Sequence, residues 1–151
     1  MWTLNPSERL REWQNFRIEI GQLPIAQACS NTTHLWSYAP YVTHYLDPNR
    51  ANSLVTWPDP WTLLQENYYC DLAKSVGMLY TLYLSTHQPT DIQLCIYNDR
   101  ANTDIYNVVQ LDQGKYVLNF EFDTVVSKDQ LPTTLDLKYQ YTASDLGLTL
   151  Y

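Results

Sequence analysis

At His87-Gln88-Pro89 the chain changes period, and this constrains its fold more than any other feature. Upstream, apolar residues recur at steps of three and four, the spacing of one helix face; downstream they alternate with polar residues, as in half-buried strands. Leu72, Ala73, Val76, Leu79, Tyr80 and Tyr83 follow the helical step, and Gly77 among them marks a close approach by a neighbouring backbone. Ile92, Leu94 and Ile96 alternate, as do Val109 and Leu111, and then Tyr116, Leu118 and Phe120. Between the last two runs, Asp112-Gln113-Gly114-Lys115 predicts a tight hairpin turn, with Gly114 supplying the positive φ. Thr134–Tyr141 alternates again and predicts a fourth strand. Helices first and an antiparallel sheet after them define an α+β chain.

The helical part is punctuated by cap signals. Asn5-Pro6-Ser7-Glu8 combines an N-cap, a proline at the first helical position and a glutamate at the capping-box position. Leu10, Trp13 and Phe16 then give one apolar face, and Gly21 stops it. Pro24 opens a second helix through Ile25, Ala28 and Cys29 toward Leu35 and Trp36. Asp59-Pro60 starts a short third helix over Trp61, Leu63 and Leu64, which Asn67 breaks, and a fourth helix begins at Cys70.

Between the second and third helices, residues 36–61 hold Trp36, Tyr38, Tyr41, Tyr45, Trp57 and Trp61 among four prolines. The prolines exclude a single helix, and the aromatics exclude a solvated linker. Two readings stand: an irregular segment packed on the core, or a docking surface, since Trp and Tyr anchor interfaces. Composition favours a chain that lives against other proteins, with 17% charged residues and 14% aromatics. The C-terminal segment 133–151 reads as a strand-like extension, with Leu135, Leu137, Tyr139 and Tyr141 on one alternating face. Such a segment either adds a strand to a partner's sheet or packs back on its own domain. The domain itself is expected over 1–132, with its core at 59–122.

Other classes are excluded by what the chain lacks. Nine Lys and Arg against 16 Asp and Glu leave a net charge of −7 with no basic run, so direct nucleic-acid binding is not expected. No apolar stretch reaches the roughly 18 residues of a membrane span, and the first residues do not read as a signal peptide. Asn31-Thr32-Thr33 fits the glycosylation pattern but means little without secretion. Cys29, Cys70 and Cys95 read as reduced cytosolic thiols. His34, His44 and His87 lie far apart, and the aspartates lack calcium-loop spacing, so neither a metal nor a cofactor is expected. An aromatic cleft for a small ligand remains a third possibility, with nothing naming the ligand.

One place carries chemistry. A cysteine opening a buried helix ahead of an antiparallel sheet is the layout of a papain-like thiol site, because a helix N-terminus offers partial positive charge and unpaired N–H groups to a thiolate and to an oxyanion. The run PWTLLQENYYCDLAKSVGMLYTLYL, with DIQLCIYND and YNVVQLDQGKYVLNF after it, resembles the core of the transglutaminase-like superfamily over residues 59–122. The resemblance implies Cys70 as nucleophile, a His opening the second strand and an Asp closing the third. Tyr106 or Asn107 stands at the first of these positions and Asn119 at the second, and no His follows His87. Tyr68-Tyr69 replaces the family's small, Gly-containing approach to the cysteine. An Asn amide accepts no proton from a thiol near neutral pH, and a neighbouring carboxylate such as Asp71 opposes thiolate formation. His87 could reach in from the loop after the helix. The site if active is therefore Cys70 with Asn107 and Asn119, and the expectation is that the chain is not an enzyme.

ERLREWQNFRIEIGQLP, TWPDPW, the Cys helix and YVLNF together also resemble small proteins encoded among the structural genes of contractile-tailed marine bacteriophages, the cyanophage-type myoviruses. That resemblance implies a virion part, made in the host cytoplasm and held with other virion proteins of a tail, baseplate or neck in a hetero-oligomeric assembly. The resulting expectation is a non-catalytic subunit docking through its aromatic segment and C-terminal strand. The alternative is a cysteine-dependent hydrolase or acyltransferase using Cys70.

Overall fold

The computed structural model describes residues 1–47 and 57–148. The middle of the 36–61 segment and the last three residues, Leu150 among them, lie outside the described residues.

Four helices come first. In α1 (Pro6–Gly21) Asn5 is extended and its side chain accepts the Glu8 N–H at 2.9 Å, with Pro6 following. The same device starts α3 (Pro60–Glu66), where Asp59 accepts the Thr62 N–H at 2.8 Å and Asn67, at φ 59°, ends the helix in the left-handed region. Between them lies α2 (Ile25–Ser37), and α4 runs from Asp71 to Tyr83 with Cys70 as its N-cap. α1 buries the expected face in part: Trp13 is fully inside and Leu10 and Phe16 pack half-buried against the core, while Arg9 and Ile20 are buried beside them. Arg9 is tolerated there because its guanidinium donates to the carbonyls of Leu64 (2.9 Å) and Gln65 (3.3 Å), where α3 presents the negative end of its dipole.

α4 is the centre of the core, with Leu72, Ala73, Val76, Met78, Leu79 and Leu82 all buried. Gly77 does mark a close approach, but by a side chain rather than a backbone: a Cβ there would lie 2.4 Å from the Trp36 ring. Thr81, one turn on, accepts the indole N–H of both Trp13 (3.0 Å) and Trp36 (2.9 Å) and donates to the Gly77 carbonyl. Trp36, expected at a docking surface, is thus fully buried, and Trp57 is buried as well.

Five strands form one antiparallel sheet: β1 (Gln93–Asp99), β2 (Ile105–Leu111), β3 (Tyr116–Glu121), β4 (Thr124–Val126) and β5 (Leu135–Thr142), in the order β4-β3-β2-β1-β5. The hairpin at Asp112–Lys115 forms as expected, although Asp112 and Gln113 share the left-handed conformation with Gly114. β5 pairs along β1 from Asp99↔Leu135 to Gln93↔Thr142, and Leu148 beyond it is buried in the core. The described part of the C-terminal segment, as far as Leu148, therefore packs on its own sheet and core.

Leu94, Ile96, Val109, Leu111 and Leu118 belong to the main core, whereas Cys95, Tyr97, Val108 and Val117 form a second, smaller cluster. Phe120 joins that second cluster and not the Tyr116–Leu118 face. The cause is a register shift between Leu118 and Glu121, where Asn119 adopts φ 69°, because an irregular residue in a period-two strand sends the following side chains to the other face.

Candidate active site

Cys70 closes an extended segment and opens α4: its backbone is extended, and its carbonyl accepts the Lys74 N–H at 3.0 Å as the first helical bond. No side chain caps the first turn, so the N–H groups of Asp71, Leu72 and Ala73 have no intrahelical acceptor. The approach is fixed by Tyr69, whose ring is buried between Trp2 and Trp36 and whose hydroxyl donates to the Leu63 carbonyl at 2.9 Å. A tyrosine can therefore stand where a small residue was expected.

A strap, residues 38–47, crosses over the cysteine. It is held by a parallel bridge between Tyr41 and Tyr69, by the Val42 N–H on the Tyr69 carbonyl (3.1 Å) and by the Tyr69 N–H on the Pro40 carbonyl (2.9 Å). The Leu46 N–H points at Cys70 Sγ from 3.5 Å, and the cysteine is 5% exposed. Of the residues expected at a docking surface, Tyr38 and Tyr41 on this strap are exposed, at 58% and 61%, and Tyr45 is half-buried. Trp61 rests edge-on against Trp13. Of the four β5 residues expected there, only Leu137 is well exposed, while Leu135, Tyr139 and Tyr141 are half-buried.

Asn107 on β2 and Asn119 on β3 do converge on the start of α4, but on Asp71 rather than Cys70. Asn107 Nδ2 donates to the Asp71 carboxylate at 2.8 Å. Asn119 Nδ2 lies 3.3 Å from the other carboxylate oxygen, 2.7 Å from Ser75 Oγ and 2.9 Å from the Asn107 carbonyl. Ser75 Oγ in turn donates to the Asn107 carbonyl at 2.5 Å. Asn107 Oδ1 is buried with no hydrogen-bond partner. The left-handed backbone of Asn119 is what aims its amide off the strand and at the helix, and strain of this kind concentrates at functional sites. Burial pushes the Asp71 carboxyl above its ordinary value, opposed by the two asparagine amides and by Lys74.

Two rows thus run down the first turns of α4. Asp71 and Ser75 face the asparagines, and Cys70 and Lys74, also four residues apart, face the strap. Lys74 is buried, with its ammonium 3.0 Å from the Ser37 carbonyl and 5.7 Å from the centre of the Tyr41 ring. Ser75 and Lys74 were not foreseen, though the helical step from Asp71 and Cys70 marks both. His87 does not reach this end: it follows the far end of the 13-residue helix, on the order of 20 Å away, where Nε2 meets the Ile20 carbonyl. His34 is tied to Asp123 at 3.0 Å, and His44 is exposed on the strap.

No protein-family model matches this sequence, and no curated protein does. Solved structures do match in fold. Legionella pneumophila LapG superposes with a TM-score of 0.71 at 15% identity, covering 91% of this chain and 75% of LapG. Its calcium-bound form gives a TM-score of 0.69 at 14% identity, covering 93% and 78%. LapG is a cysteine protease with a transglutaminase-like, papain-like fold. These neighbours lend no support to the phage resemblance. They also overturn the expectation of a non-enzyme, because the solved structures that share this fold are those of a cysteine protease. The chain has the transglutaminase-like α+β fold, four helices followed by a five-stranded antiparallel sheet, of LapG.

Proposed function

We propose that this protein is a cysteine-dependent hydrolase or acyltransferase with Cys70 as its nucleophile. The observation that supports this reading most is the position of Cys70, the N-cap of an otherwise uncapped, buried helix in the fold of a cysteine protease. In this structure the Cys70 sulfur makes no cap hydrogen bond and faces the Leu46 N–H; a turn of the side chain brings an N-cap atom to the second or third N–H of the helix. Those donors favour a thiolate, and they favour the negative oxygen that forms when the thiolate adds to a carbonyl.

The chemistry is acyl transfer. The thiol gives up its proton, the sulfur adds to an ester or amide carbonyl, and the alcohol or amine departs with a proton to leave a thioester. Water or a second acceptor then attacks the thioester and frees the sulfur. Leu46 and its strap cover the thiol, so a substrate reaches it when the strap is displaced. Asp71, Asn107, Asn119 and Ser75 tie the start of α4 to β2 and β3 and hold the nucleophile's helix in place.

One LapG structure carries calcium, but among the described residues of this chain no three of His, Cys, Asp and Glu stand together as metal ligands. No step here uses a metal ion. The virion location and virion partners expected from the sequence have no structural observation behind them and are not carried further.

The test is turnover of p-nitrophenyl acetate by the full chain and by Cys70→Ser. Loss of turnover in the variant supports the reading, and turnover unchanged in Cys70→Ser removes it.

A further inference from the structure

We infer that Lys74 is the group that takes the proton from Cys70, in the role that a histidine fills in other thiol sites. This assignment rests on the proposed thiol chemistry. It begins from a vacancy in the sequence: none of the three histidines is buried beside Cys70, and Asn107 and Asn119 have no basic nitrogen.

Lys74 is the buried basic side chain that follows the N-cap cysteine by four residues at the start of α4. Its ammonium rests on the Ser37 carbonyl, so the role requires Nζ to leave that carbonyl for Sγ. Its carbonyl-to-amide link to Cys70 is the first hydrogen bond of the helix, 3.0 Å long, which fixes the spacing of the two residues. Both side chains lie under the strap, Cys70 against Leu46 and Lys74 against Ser37 and Tyr41. A lysine is seldom buried without a carboxylate, yet among the described residues Lys74 forms no ion pair, and its one hydrogen bond is to the Ser37 carbonyl. An ammonium has three N–H groups, so the lysine has donors to spare.

Burial lowers the Lys74 amine below its ordinary value, against the opposing pull of Asp71. The titratable groups facing it are Asp71 on its own helix and Tyr41 on the strap. Asp123, whose N–H donates to Ser37 Oγ at 3.1 Å, is committed to His34. A lysine with a lowered pKa in an apolar site is a competent general base.

The step balances without any further reagent than water. Nζ takes the S–H proton and becomes an ammonium while sulfur adds to the carbonyl carbon. As the carbon–oxygen or carbon–nitrogen bond of the substrate breaks, the ammonium returns that proton to the departing alcohol or amine. In the second half Nζ takes a proton from water as its oxygen adds to the thioester, and the sulfur leaves as the thiol with that proton.

The test compares wild type, Lys74→Met and Lys74→Arg in p-nitrophenyl acetate turnover across pH, and in iodoacetamide labelling of Cys70. General-base removal costs about a hundredfold or more in turnover, and that loss is expected in both variants. Arginine keeps a fixed positive charge but accepts no proton, so Lys74→Arg keeps Cys70 labelling at neutral pH while losing turnover. Should Lys74→Met fail to fold, Lys74→Arg decides alone, because it keeps a long stem and a donor for the Ser37 carbonyl. Turnover in Lys74→Arg within about twofold of wild type overturns the assignment, and so does an equivalent loss in His44→Gln. Those results leave Cys70 labelled and the thiol reading intact. A wild type whose Cys70 labels no faster than Cys29 and Cys95 defeats both.

Discussion

Asn107 Nδ2 donates to the Asp71 carboxylate at 2.8 Å, tying the middle of β2 to the residue that follows the cysteine. Asn119 reaches the same carboxylate from β3. Together the two amides hold the sheet and the nucleophile's helix in one register. Asp71→Ala leaves the buried Asn107 amide without its acceptor and is expected to destabilise the fold by about 1–3 kcal/mol. Urea unfolding of the variant checks this, and an unchanged midpoint refutes it.

The same carboxylate has a predictable response to pH. Burial raises it despite both amides. A raised acid binds its proton more tightly in the folded chain, so its contribution to stability is full below the ordinary carboxylate value and is lost as pH rises from there through the raised value of the folded chain. Asp71→Asn removes that decline. Melting curves taken from acid to neutral pH are expected to be flatter for the variant than for wild type.

Thr81 is the shared acceptor of two buried indoles, Trp13 and Trp36. Thr81→Val keeps the shape and removes the oxygen, leaving two buried N–H donors unpaired. The expected cost is about 2–4 kcal/mol, read by chemical unfolding. A loss well under that range would mean the indoles find other partners.

Gly77 sits under the Trp36 ring, where a Cβ would lie 2.4 Å from the indole. In a free helix Gly77→Ala would be favourable by about 1 kcal/mol. Here it forces the ring and α2 away from α4, and the expected net effect is a destabilisation of about 1–3 kcal/mol. The sign of the change in melting temperature is the check.

Burial, with Asp112 adding to it, pushes the Cys29 thiol from 9.0 up to about 12. Below pH 9.0 both folded and unfolded chains keep this proton. Above it the unfolded chain ionises first, so stability falls as pH rises toward about 12. Cys29→Ala is expected to lessen the alkaline loss, measured as the drop in melting temperature between neutral and alkaline pH.

Much of the fold was legible because local rules agreed. The helix caps at Asn5 and Asp59, the change of period at Pro89 and the Gly114 turn each belong to a short stretch and need no distant partner. What stayed hidden depends on contacts between remote segments. Arg9 is buried because α3 ends beside it, fifty-five residues along the chain from its Leu64 partner. Phe120 changes face because Asn119 turns left-handed inside a strand. β4, three residues long, is too short to show an alternation. At the site, the sequence pointed to Cys70 through its helix start and to Asn107 and Asn119 through the family resemblance, and missed that the asparagines would close on Asp71. It missed as well that Lys74 would be buried, with its ammonium on the Ser37 carbonyl at the end of α2 and near the Tyr41 ring.

Iodoacetamide labelling of the folded, full-length chain at neutral pH, with the modified cysteines located by peptide mass spectrometry over time, tests the central claim most directly. Burial holds the Cys29 and Cys95 thiols up to about 12 and about 11, so both stay protonated and slow to react. A nucleophile at Cys70 predicts that this residue is labelled first and while the chain remains folded. Labelling of Cys70 no faster than the other two, or only after unfolding, contradicts it.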